Sequence, residues 1–161
     1  KINLMDHTDE FFIKSIEYIE NQVNYGLFMH EIFSKIKYQN DLENIIEGYY
    51  FEGKINSGEK TALFEKVRNI LNRKSVSEWF TEDWTVKTEE AILDISGNIR
   101  IPDRVLIKKD KTLVIDFKFG AYDPESELQI KEYIELLRKM NYPDVSGIIY
   151  YAETDLAQQV Q

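Results

Sequence analysis

The chain's 161 residues suit one domain, and 43% apolar residues supply a packed core, which excludes a disordered tail. The absence of cysteine excludes a disulfide scaffold, an iron–sulfur cluster and a thiolate zinc site. With 20 basic and 29 acidic residues the net charge is −9, which excludes nucleic-acid binding through a basic surface alone. Carboxylates clustered around a bound cation, or a basic neighbouring domain, would have to offset it.

The first half has helical periodicity. Phe11, Phe12, Ile16 and Ile19 recur at helical spacing, with Thr8 or Asp9 as N-cap. Asp6, His7, Asp9 and Glu10 look like a metal cluster by composition, but acids at a helix N-terminus are ordinary. Gly26 punctuates the chain, and Phe28, Met29, Ile32, Phe33 and Ile36 form a second stripe. Leu42, Ile45, Ile46 and Tyr49 predict a third helix that ends near Gly53. Ser57-Gly58-Glu59-Lys60 opens a fourth, with Leu63, Val67, Ile70 and Leu71 facing inward.

The period then changes. Trp84-Thr85-Val86-Lys87-Thr88-Glu89 alternates and runs on into Ala91-Ile92-Leu93, and Ser96-Gly97-Asn98 is a turn signal. Residues 99–107 and 112–119 are two further strands. Residues 124–140 return to helical spacing through Leu128, Ile130, Tyr133, Ile134 and Leu137, until Tyr142-Pro143-Asp144 breaks the helix. Val145-Ser146-Gly147-Ile148-Ile149-Tyr150-Tyr151 reads as a buried strand. A closing strand–helix–strand unit implies a parallel, right-handed crossover. The expected fold is α/β: a mixed central sheet flanked by helices, with a helical N-terminal half. No run of about 18 apolar residues suggests a membrane span, and residues 1–6 lack the apolar run of a signal peptide. The ends, Lys1 and Gln161, suggest a single domain excised from a longer protein.

The informative segment is Ile101-Pro102-Asp103-Arg104-Val105-Leu106-Ile107, then Lys108-Lys109-Asp110-Lys111, then Thr112-Leu113-Val114-Ile115-Asp116-Phe117-Lys118. A two-residue turn at Lys109-Asp110 pairs Lys108 with Lys111 and Ile107 with Thr112. Continued outward, the ladder sets Asp103 opposite Asp116, with β-carbons about 5 Å apart on one face. The period of two adds Lys118 to that face. Two carboxylates this close disfavour each other's charge unless a cation joins them, and Mg²⁺ prefers such oxygen ligands. A lysine one pleat further on can hold a water or stabilise charge developing on a phosphate. Asp–Asp–Lys on one face therefore suits phosphodiester hydrolysis. Both faces of these strands are otherwise apolar, Val105 and Ile107 on one, Leu106, Leu113 and Ile115 on the other, as in a sheet covered on both sides. Charge there is costly unless used. The pattern is also compatible with Asp103 as a turn residue after Pro102, and with Asp116 and Lys118 as a surface ion pair.

Pro102-Asp103 followed by Asp116-Phe117-Lys118 resembles the PD-(D/E)XK nuclease signature. Gly26-Leu27-Phe28-Met29-His30 resembles the upstream glycine-to-histidine motif of the RecB/AddA-type branch, and Gln129-Ile130-Lys131-Glu132-Tyr133 its Q-x-x-x-Y motif. Asp116-Phe117-Lys118-Phe119-Gly120 with Tyr122, and Gly147-Ile148-Ile149-Tyr150-Tyr151, are also similar to that branch. The likeness covers residues 24–151. The triplet alone is a weak signal, and four motifs in order are a stronger one. The branch with an iron–sulfur cluster carries cysteines and is excluded.

The resemblance implies a restriction-endonuclease-like core and the C-terminal nuclease domain of a UvrD/Rep-like helicase, a bacterial cytoplasmic enzyme of DNA end processing or recombinational repair. It implies a magnesium-dependent deoxyribonuclease (manganese as substitute), exonuclease rather than endonuclease, acting on single strands delivered by motor domains of the same chain. A second, AddB-like subunit would be a further partner. His30, Asp103 and Asp116 would be metal ligands together with the backbone carbonyl of Phe117. Lys118 would position or activate water, and Gln129 and Tyr133, on one helix face, would contact DNA or orient the lysine. Glu89 would be an accessory acid. Bland alternatives stand beside these: His30 and Tyr133 as core residues, Glu89 as a solvated strand charge, Lys108, Lys109 and Lys111 as a solvated turn. At the level of the whole chain, the alternatives are a catalytically inactive nuclease fold that binds DNA or a protein, and a stand-alone nuclease of the same superfamily.

Overall fold

The computed structural model describes residues 25–120 and 122–161. The stripe from Phe11 to Ile19, its cap and the acids around His7 lie outside the described residues. Helix α1 spans Tyr25–Lys35, α2 Leu42–Phe51, α3 Ser57–Leu71 and α4 Glu125–Lys139. The strands are β1 (Thr85–Thr88), β2 (Ile92–Leu93), β3 (Ile99–Arg100), β4 (Arg104–Ile107), β5 (Thr112–Lys118), β6 (Val145–Tyr151) and β7 (Leu156–Val160). The protein is mixed α/β, with a five-stranded sheet in the order β1-β4-β5-β6-β7.

Local chemistry sets the helix boundaries. Asn56 caps α3 by accepting from the Glu59 amide at 2.9 Å, while the Glu59 carboxylate accepts from the Asn56 amide at 2.8 Å. Beyond α2 the chain turns at Gly53, with φ +71°. Gly26 lies within α1, not before it. No helix among the described residues is long and apolar enough to cross a membrane.

Each face of the sheet carries its own core. Leu106, Leu113, Ile115, Phe117 and Tyr150 pack with α1, α2, α3 and the Trp79-Phe80 turn. Val105, Val114, Ile149 and Tyr151 pack with Ile130, Tyr133, Ile134 and Leu137 of α4. Strands β5 and β6 are parallel and joined through α4. The sequence places apolar residues on both faces because both are covered.

Three differences from the expected strands have physical reasons. The run from Trp84 to Leu93 is interrupted at Glu89, whose φ of 48° is incompatible with continuing extended backbone. Residues 99–107 are divided at Pro102, which has no N–H to give to a ladder. The detached pieces, β2 and β3, form a separate two-stranded ribbon. Its turn is held by Asp94, which accepts from the Ser96 and Asn98 amides at 2.8 and 2.9 Å. Strand β7, unanticipated in the sequence, adds an antiparallel edge to β6.

Candidate active site

The β4–β5 hairpin turns as the two-residue loop predicts. Ile107 faces Thr112, Leu106 Leu113, Val105 Val114 and Arg104 Ile115, and the Lys108 amide donates to Lys111 at 2.8 Å. One step further out stand Asp103 and Asp116. There the ladder opens: the Phe117 amide donates to the Asp103 carboxylate at 2.8 Å. The side chain thus takes the place of a strand carbonyl and is turned toward Asp116.

The cluster contains four side chains from three segments. Lys118 Nζ lies 2.8 Å from Asp116 Oδ2. His30 Nδ1, from α1, lies 3.4 Å from Asp103 Oδ2, and its ring meets Phe119 edge-on at 5.5 Å. Asp116 is buried, at 5% exposure, whereas Asp103 is partly open, at 22% for its side chain. Burial, and then the charge of Asp116, push the Asp103 carboxyl well above the usual carboxylate range. Burial also lowers the pKa of His30, against the opposing pull of Asp116, and keeps the ring neutral at pH 7. A backbone hydrogen bond to Phe117 favours the protonated ring, as expected of an imidazole facing that residue's carbonyl.

Tyr133, from α4, is buried and donates to the Ile101 carbonyl at 3.0 Å, two residues before Asp103. Burial, with the charges of Asp103 and Asp116 adding to it, pushes its phenol up to about 12. It therefore steadies the approach to Asp103, and no bond joins it to Lys118. Gln129, one helical turn away, is exposed and makes none of the cluster's hydrogen bonds. Glu89 is exposed too; its amide donates to the Asp103 carbonyl at 3.3 Å, and its charge acts on His30.

Arg104 is the residue that sequence reasoning missed. It is fully buried and donates to the carbonyls of Ile36 (2.7 Å), Lys37 and Trp79 (3.1 Å), with its guanidinium 4.0 Å above the Phe80 ring. Burial lowers its pKa to about 9, still charged at neutral pH. Ile36 and Lys37 follow the end of α1, so the guanidinium meets the negative end of that helix. The available signal was a cation sharing the strand face of Leu106.

Asp116 Oδ2 is buried with no hydrogen bond from the described residues; the Lys118 ammonium is near but off the hydrogen-bonding direction. Among the described residues no three His, Asp or Glu side chains converge into a ready-made metal cage. The donor set, two adjoining carboxylates of which one has an open buried oxygen, fits a hard cation that keeps most of its waters. The chain matches no protein-family model and no curated protein.

Proposed function

We propose that this is a metal-dependent DNA nuclease domain, built on a restriction-endonuclease-like core, that hydrolyses phosphodiester bonds in unpaired strands during end processing or repair. Exonucleolytic action beside a helicase motor is part of the same reading. The observation that carries it is the open oxygen of Asp116, buried beside Asp103 and Lys118. With the Lys118 ammonium 2.8 Å away but not aligned for a hydrogen bond, this oxygen beside a second carboxylate is costly to bury, and a divalent cation would satisfy it. The motifs from His30 to Tyr133 support the reading by resemblance.

Asp103 and Asp116 would hold Mg²⁺ or Mn²⁺, with His30 and the Phe117 carbonyl at the same edge. The bound cation would supply Lewis-acid stabilisation of the phosphate and a water of lowered pKa. Lys118 would stabilise charge developing on the phosphate or orient the attacking water. Tyr133 would hold the Ile101–Asp103 turn in place, and Gln129 would face the strand.

The test is cleavage of single- and double-stranded DNA with Mg²⁺ or Mn²⁺ by the wild type, Asp116→Ala and Lys118→Ala. Cleavage should vanish in both variants, and activity that survives both overturns the mechanism. The net charge of −9 favours one second reading, an inactive nuclease fold serving as a binding module. Metal binding lost in Asp103→Ala and Asp116→Ala, together with turnover in the wild type, separates the two.

A further inference from the structure

Tyr122 lies between β5 and α4 and is 66% exposed. Its ring is stacked on Tyr151, with centroids 5.9 Å apart and planes 29° from parallel. Tyr151 is nearly buried, is the last residue of β6 and is the register partner of Lys118. Among the described residues its hydroxyl finds no hydrogen-bond partner. The pair therefore presents an aromatic surface one strand away from the lysine of the candidate site.

We propose that Tyr122 is a stacking shelf for a nucleobase of an unpaired DNA strand whose phosphate lies at Asp103, Asp116 and Lys118. This rests on the nuclease reading and adds what selects the substrate. A chain of net charge −9 gains little from long-range attraction to phosphate. An aromatic face holds a base regardless of charge and of base identity. A duplex keeps its bases stacked on one another and has none to offer, so the shelf selects unpaired strands. Because Tyr122 already rests on Tyr151, little side-chain freedom is lost when a base arrives.

The experiment uses the full chain in Ca²⁺, with fluorescently labelled oligo(dT) and an abasic strand of the same length. Wild type should bind oligo(dT) more tightly than the abasic strand. Tyr122→Ala should weaken oligo(dT) binding about tenfold, the scale of one lost base stack, and leave the abasic strand unaffected. Tyr122→Phe should restore wild-type affinity. In Tyr122→Trp the new indole should be quenched by oligo(dT) but not by the abasic strand, against a constant signal from the buried Trp79 and Trp84. Equal binding of the two strands by wild type, or a Tyr122→Ala effect that is absent or the same for both, overturns the proposal. If the shelf fails while Asp116→Ala and Lys118→Ala still abolish cleavage, only the shelf is wrong. If the base preference holds without any cleavage by wild type, the nuclease reading fails and the shelf belongs to a binding module.

Discussion

Arg104 donates to the Ile36 carbonyl at 2.7 Å, tying the strand next to Asp103 to the end of the helix that carries His30. Its other bonds go to Lys37, next to Ile36, and to Trp79, which brings one more segment onto the same guanidinium. Arg104→Ala would leave these carbonyls buried without donors. We expect a loss of about 3–5 kcal/mol in urea unfolding. Arg104→Lys, which keeps the charge but loses the planar fork, should recover only part of it. A cost below about 1 kcal/mol for the alanine variant would show that the strut is dispensable.

The metal-free protein should lose stability as pH rises. Asp103 has a folded pKa above its unfolded value of about 4, so the native state holds that proton more tightly than the unfolded chain. The stabilisation is present in acid and fades as pH climbs above the unfolded pKa toward the folded one. Asp103→Asn, still able to accept from the Phe117 amide, should flatten this slope. It should also raise stability at pH 8 by roughly 1–3 kcal/mol in EDTA. Urea midpoints across pH for both proteins check it; parallel curves would count against it.

Gly147 is where α4 meets the sheet. A β-carbon there would lie 2.4 Å from Ile130 Cγ2 and 3.0 Å from Ile134 Cδ1. The Ile130 methyl sits on a branched, stiff carbon, so the helix must lift. Gly147→Ala should cost about 1–3 kcal/mol, and shortening the opposing side chain in Gly147→Ala/Ile130→Val should not restore it, because valine retains that methyl. Gly147→Ala/Ile130→Ala should recover part of the loss relative to Ile130→Ala alone. Thermal denaturation of these four variants, beside the wild type and Ile130→Val as references, measures both terms.

Tyr133→Phe removes the bond to Ile101 and leaves the ring. Stability should fall by only about 1 kcal/mol. Mg²⁺ affinity should fall about tenfold, because the turn leading to Asp103 loosens, as when a residue that orients a metal ligand is lost. Calorimetric titration reads the affinity. An unchanged value would reduce Tyr133 to a core residue.

The register of the central hairpin was legible because a two-residue turn in the short polar loop at Lys109-Asp110 sets the parity of every pair outward from it. That parity carried Asp103, Asp116 and Lys118 onto one face. His30 is placed by tertiary packing, and only the family-like motif pointed to it. Arg104 escaped notice because its acceptors are backbone carbonyls far away in the chain, which no side-chain pattern records. Strand β7 escaped because Ala157-Gln158-Gln159 carries no apolar alternation; β6 creates the strand by offering it an edge. Gln129 shows the converse, a residue singled out by motif that stands in solvent.

The amide of Phe117 is committed to a side chain where its neighbours along β5 are committed to strands. In deuterated water its proton is therefore sheltered by one carboxylate, and its isotope exchange reports whether that carboxylate is in place while the sheet around it stays closed. The protein carries in this single N–H a spectroscopic gauge of the Asp103 carboxylate, readable without any added metal or DNA.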